Sequence, residues 1–396
     1  MRPATFAPFL LLSCSFLFIQ PAFPQKRLIR TAFYYGGYVK FDALYSWYRN
    51  GEVGPNSALR DFIFPAQIPV GSDFTNETFD FHVKESRFNF DVTTELNQQE
   101  IHGFLEMDFL LSPGGDEKVS NSFNPRLRHF YFEWKQLLVG QTWSSFMIVI
   151  VPDDLDFSGS LEGLVFVRQP KIRYNWGTWM FGIENPETLY LPFNAQAQEV
   201  SDKEFLPDFV LRKDFSGEWG TWTMAGIYRT LSFKDTTAKY RSSAFGFTTG
   251  GKLLLGKRGD DFRMTLTAGS GLGRYVAGNF MPGGVFKTPD ELVGIPTFNG
   301  YVAYNHFWIR KTLSSTFNAG YFKYIGGGQS IDGLVNDRSY SLSANLKYDP
   351  VSAMRFGLEF SYANRKLIDG TSGGMFRLQF SAKYTFGYTD ETTVEK

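Results

Sequence analysis

The residues best suited to nucleophilic or metal chemistry are four histidines, His82, His102, His129 and His306, and the adjacent pair Ser144 and Ser145. A hydrolytic site needs a serine, a histidine and an orienting polar group at one place, and here His102 and His129 fall on neighbouring segments near the two serines, a trio that chance readily supplies. No His-Glu-x-x-His occurs, and the one cysteine, Cys14, lies in the N-terminal apolar stretch, so neither a transition-metal site nor another cofactor is implied. Gly269-Ser270-Gly271-Leu272-Gly273 ends a strand-like segment instead of opening a helix, which excludes a phosphate cradle. What remains is fixed charge. Lys40 and Asp42, Arg87 and Asp91, His102, Glu106 and Asp108, Lys171 and Arg173, Asp208 and Arg212, Arg229, Arg263, Lys347, Arg355 and Glu359, and Arg377 and Lys383 recur two residues apart, or at the same parity, within otherwise aromatic segments.

That spacing belongs to β-strands. In residues 374–386, Phe376, Leu378, Phe380, Ala382, Tyr384 and Phe386 share one face, and Arg377, Gln379, Ser381, Lys383 and Thr385 share the other. The run exceeds a soluble strand of about five or six residues and suits the roughly 9–11 that a tilted strand needs to cross a bilayer. The mean hydropathy of −0.21 excludes a helical membrane protein. Sixteen such segments are placed at 37–48, 82–94, 99–109, 125–134, 136–146, 168–176, 178–186, 207–214, 219–233, 240–254, 261–272, 298–308, 312–325, 337–348, 351–363 and 374–386. Short joins alternate with longer ones, with 234–239 the exception, and turn residues such as Gly177, Gly217, Gly259 and Pro350 sit at the short joins. The pattern predicts an all-β fold, a 16-stranded antiparallel transmembrane β-barrel with short periplasmic turns and long extracellular loops.

The domain organisation follows. Arg2, the apolar stretch Phe6 to Ile19 and Pro21 to Pro24 form a secretory signal, residues 1–24. Leu11-Leu12-Ser13-Cys14 is similar to a lipoprotein box, but the chain stays apolar after it. Residues 36–386 are expected to form the barrel, and 387–396 a short polar tail. The location expected is the bacterial outer membrane, in contact with its lipid.

Forty basic and forty acidic side chains cancel, so net charge gives no reason to expect nucleic acid, and any selectivity rests on placement. On the face opposite the aromatics bases outnumber acids. Arg87, Lys171, Arg173, Arg212 and Arg229 are expected to form a basic pore wall that concentrates anions. Arg126 and Arg128 share parity with Phe130, Phe132 and Trp134 and reach the lumen only if a bulge intervenes before Tyr131. The segment Met147 to Val167 mixes acids with apolar residues, unlike an exposed loop, and is read as inserted in the lumen. Asp153, Asp154, Asp156 and Glu162 would then oppose the basic wall across a constriction.

Gly37-Tyr38-Val39-Lys40-Phe41-Asp42, Ser86-Arg87-Phe88, Pro125-Arg126-Leu127-Arg128-His129, Gly140-Gln141-Thr142-Trp143-Ser144-Ser145-Phe146 and Arg168-Gln169-Pro170-Lys171-Ile172-Arg173-Tyr174 together resemble the DcaP-like porins, chiefly over residues 36–214. The resemblance implies a sixteen-stranded homotrimeric outer-membrane channel that favours small anionic solutes such as dicarboxylates, and no catalysis. Two departures stand out: only about a dozen residues separate the signal from Gly36, with no room for the helical extension some members carry, and the long first outer loop, Arg49 to Phe81, is rich in Pro and Phe. Alternatives from other classes are a plugged structural or adhesive barrel and a barrel-embedded lipid hydrolase. An energised receptor would need a plug domain, for which the same dozen residues are too few.

Overall fold

Period-two alternation with lipid on one side and water on the other leaves the backbone one solution, a sheet closed on itself. The computed structural model describes residues 28–395 apart from 97, 112–113, 116, 118–119, 196, 202, 235–237, 257 and 327–334; the signal segment 1–24 lies outside the described residues. Sixteen antiparallel strands form the barrel. They are β1 (Leu28–Tyr48), β2 in two halves (Asn76–His82 and Arg87–Leu96), β3 (Gln99–Asp108), β4 (Arg126–Trp134), β5 (Leu137–Trp143), β6 (Arg168–Trp176), β7 (Trp179–Glu184) and β8 (Asp208–Gly217). The second half comprises β9 (Gly220–Lys234), β10 (Lys239–Leu255), β11 (Asp260–Ser270), β12 (Pro296–Ile309), β13 (Leu313–Tyr324), β14 (Asn336–Val351), β15 (Met354–Leu367) and β16 (Ser372–Glu395). Each strand pairs with the next, and β1 pairs with β16 to close the ring.

The alternation holds as burial. On β16, Arg377, Gln379 and Ser381 are 1–3% exposed, whereas Leu378, Phe380 and Tyr384 are 39–53% exposed on the lipid side. Tight periplasmic turns use left-handed residues, with Gln98, Lys135, Gly177 and Lys311 at φ 55–64°.

The expected barrel limits of 36 and 386 are corrected at both ends. Leu28 to Gly36 pair with Glu395 to Gly387, so the polar tail is strand and not an appendage. Past Tyr388, which is 57% exposed beside Tyr35, the outward positions Asp390 and Thr392 are polar, as suits a stretch beyond the hydrocarbon.

The long loops fill much of the lumen. Residues 144–167 after β5 (L3) and 271–295 (L6) fold onto the inner wall, and L6 shares a four-stranded sheet with Leu189–Leu191 and Glu199–Val200 of L4, the loop between β7 and β8. Phe146 and Val165 of L3, Leu272, Tyr275 and Phe280 of L6, and Phe322 of β13 form an apolar core in which each is at most 5% exposed. This core occupies the side of the lumen next to β8, β9 and β13, which leaves open space beside β2–β6.

Candidate functional site

Strands that descend from the outer rim deliver the arginines. Arg87 opens the second half of β2, Arg126 opens β4 and Arg168 opens β6. Between β3 and β4, Glu106 faces His129 and Met107 faces Leu127, so Arg128 is the extra residue of a β-bulge. The bulge leaves Leu127 outward, 42% exposed, and turns both Arg126 and Arg128 inward.

Once inside, the guanidiniums are fixed by carboxylates of β3. Arg126 forms a fork with Asp108 at 2.8 and 2.7 Å. Arg128 donates to Glu106 at 2.6 Å and to Asp108 at 2.8 Å. Arg87 lies 3.8 Å from Glu106. Arg168 makes no ion pair among the described residues; its guanidinium lies 4.3 Å from the Trp143 ring, with Nη1 buried and without a hydrogen-bond partner. Four arginines therefore face the two carboxylates of β3, and Glu85 nearby is taken up by Lys40, which leaves a surplus of positive charge in a confined lumen.

Phe157, near the tip of L3, stands against this wall, with its ring centroid 5.6–5.9 Å from the guanidinium carbons of Arg87, Arg126 and Arg128. A cavity of about 500 Å³ lined by Arg87, Glu106, Arg128, His129, Tyr131 and Trp143 and another of about 320 Å³ lined by Arg126, Arg168 and Arg274 share Phe157 and Phe166 as lining.

Three of the other basic positions, Lys171, Arg212 and Arg229, hold the loops. Lys171 is buried, and its Nζ donates to Trp143 O at 2.5 Å and Ser145 Oγ at 3.1 Å. Arg212 donates to Met147 O at 2.7 Å, and Arg229 donates to Gly271 O and Leu272 O at 3.0 Å each while pairing with Asp208 at 2.9 Å. Arg173 pairs with Glu133 at 2.7 Å, and Glu133 in turn lies 3.6 Å from His102. Carbonyls at loop ends attract cations, which is why wall positions with the right parity became loop anchors.

L3 does enter the lumen, and two of its acids, Asp154 and Asp156, border the same cavity as Arg87 and Arg128, but among the described residues none of the four pairs with that wall. They bind the wall behind the loop. Asp153 pairs with Lys347 at 2.9 Å and Arg355 at 3.0 Å, which outweigh burial and hold its carboxyl below the usual range. Asp154 accepts from Asn318 and, at 3.0 Å, from Ser343, and its burial pushes its carboxyl well up. Asp156 caps Ile63 N at 2.9 Å and lies 3.4 Å from Arg377. Glu162, fully buried, accepts from Ser341, and burial pushes it up to about 7. Loop acids and basic wall therefore share a cavity without pairing: Phe157 stands against the arginines, and the acids staple the loop.

Neither serine of the candidate trio meets a histidine. Ser144 Oγ donates to Glu184 at 2.7 Å, Ser145 Oγ accepts from Lys171, and His129 bonds Thr142 at 2.9 Å.

Alternation alone missed Arg168, which shares parity with the outward Ile172, and Phe157, which lies on no strand. The available signal was position: Arg126 and Arg168 both begin strands that follow outer loops.

No protein-family model matches the sequence, and a search of the curated proteins finds no match. Solved structures do match. The outer membrane channel DcaP of Acinetobacter baumannii superposes with a TM-score of 0.73 at 20% identity, covering 90% of this chain and 97% of that one. An anion-selective porin from Comamonas acidovorans gives 0.56 at 9% identity, covering 90% and 100%. OmpF of Salmonella typhi, in complex with daunomycin, gives 0.52 at 12% identity, covering 90% and 97%. At these identities the likeness is one of fold, and it matches the architecture implied by the residues that resemble the DcaP-like porins. The chain has the barrel fold of bacterial outer-membrane porins and belongs in that membrane.

Proposed function

We propose that this barrel is a passive channel for small hydrophilic solutes, with a preference for anions exerted where Phe157 narrows the lumen against Arg87, Arg126, Arg128 and Arg168. The observation that carries this reading is that four guanidiniums meet only the two carboxylates of β3 on one wall of the open space, while Glu85 beside them is already paired with Lys40. Fixed charge in a narrow aqueous path lowers the entry barrier for the opposite sign and raises it for the same sign. Guanidinium forks suit carboxylates, so small dicarboxylates are the solutes to test first. The DcaP channel and the anion-selective porin share the fold, which supports the reading. We also propose a homotrimer; the wall is lowest at β5 and β7, seven and six residues long, and its outer face there is apolar with Ile172, Trp176 and Ile183 exposed.

Single-channel recording across a salt gradient tests both points. Three equal steps with an anion-selective reversal potential are expected, and the double variant Arg87→Ala/Arg168→Ala should move that potential toward cations. A wild-type channel selective for cations would overturn the proposal, and silence would favour a plugged structural barrel.

A further inference from the structure

On the lipid side of β10 the apolar run ends abruptly. Outward positions from Leu255 up to Phe245 span eleven residues, the length that crosses the hydrocarbon, and Phe245 and Phe247 are 57% and 50% exposed there. Above Phe245 the same face carries Ser243, Arg241 and Lys239. At about 3.4 Å per residue and a tilt near 45°, Arg241 stands roughly 10 Å above Phe245, at headgroup height on the extracellular side.

The neighbouring strand adds a third cation. Lys234, the last residue of β9, pairs directly with Lys239, and Ser232 pairs with Arg241. Lys234, Lys239 and Arg241 are all exposed on this outer face, and none forms an ion pair among the described residues. The Arg241 guanidinium lies 3.7 Å from the ring centroid of Phe205, an L4 residue that is itself 49% exposed. Like charges directly opposite on a sheet face repel, so this arrangement favours a bound anion. An aromatic ring beneath the arginine supplies an apolar floor beside an acyl chain while the guanidinium stays at the interface.

We propose that Lys234, Lys239 and Arg241, with Phe205, form a docking surface for a phosphorylated glycolipid of the outer leaflet, whose sugar phosphate sits between the two lysines and the guanidinium. Clusters of lysine and arginine at the membrane boundary recognise anionic headgroups in this way, and the inference is independent of what the pore carries.

The test is native mass spectrometry of the full-length mature protein, released from detergent after titration with bisphosphorylated lipid A and, separately, with the same lipid A stripped of phosphate. The wild type should retain the bisphosphorylated form and lose the stripped one. Lys234→Gln/Lys239→Gln/Arg241→Gln should weaken retention by about tenfold or more, whereas Lys234→Arg/Lys239→Arg should keep it. Single-channel conductance in phosphatidylcholine bilayers, unchanged in both variants, would show the barrels intact. Equal retention by the glutamine variant, or equal binding of stripped lipid A, would overturn the proposal. So would a change in oligomeric mass without loss of lipid, which would assign the patch to contact between copies.

Discussion

Lys347 on β14 and Asp153 on L3 are joined by an ion pair of 2.9 Å in which the lysine is fully buried. This pair ties the inserted loop to the wall opposite the arginines, and Lys347 also donates to Asp153 O at 2.6 Å. Lys347→Met keeps the volume and removes both bonds, leaving Asp153 with Arg355. The loss is expected to destabilise loop docking by about 1–3 kcal/mol, below the value for a fully buried pair because Asp153 is 29% exposed. Single-channel records should then show larger and noisier currents; a quiet wild-type trace would show that the pair does not hold L3.

Glycines on the wall let L3 lie close to it. A Cβ at Gly320 would sit inside contact distance of Glu162 Oε1 and 2.6 Å from Ser160 Cβ, and one at Gly357 would be 2.6 Å from Leu155 Cδ1. Gly320→Val is expected to push L3 toward the arginines, at a cost of about 1–3 kcal/mol, and to lower conductance while the barrel still assembles. Conductance equal to wild type, with unchanged melting, would refute the close-contact role.

Phe157 contributes three cation–π contacts, each worth about 0.5–1 kcal/mol when partly exposed. Phe157→Ala should widen the narrowing and raise conductance, while anion selectivity changes little because every arginine remains. A large loss of selectivity would instead assign the ring a part in discrimination.

Glu162 provides a pH dependence whose sign is fixed. Its folded carboxyl is raised from about 4.5 to about 7 by burial, so between these values the folded state binds more protons than the unfolded one, and stability falls as pH rises through that window. Above pH of about 7 the carboxylate is charged with Oε2 lacking a partner among the described residues. Thermal melting of L3-dependent conductance should therefore fall from pH 5 to pH 8 in the wild type. In Glu162→Gln the slope should flatten, and an unaltered slope would assign it to other groups.

Strand number, the lumen face and the closed topology were legible in the residues because a period of two is a local property: each side chain on β16 records which solvent it meets. The inward turn of Arg126 and Arg128 was legible only as a condition, since a bulge is one residue that nothing in a single strand announces. The partners of charged side chains were not legible at all. Parity placed Lys171, Arg212 and Arg229 inside, but whether a cation faces water or a carbonyl depends on loops that lie 26 to 65 residues away in the chain, as Lys171 with Ser145 and Arg212 with Met147 illustrate. The same holds for Asp153, Asp154 and Glu162, whose loop was identifiable from composition but whose targets on β13, β14 and β15 were fixed only when the ring closed. Sequence alone set the solvent on each face, because that depends on alternation along one strand. Tertiary structure decided which arginines stay available to a solute, because that depends on which of them the inserted loops had already engaged.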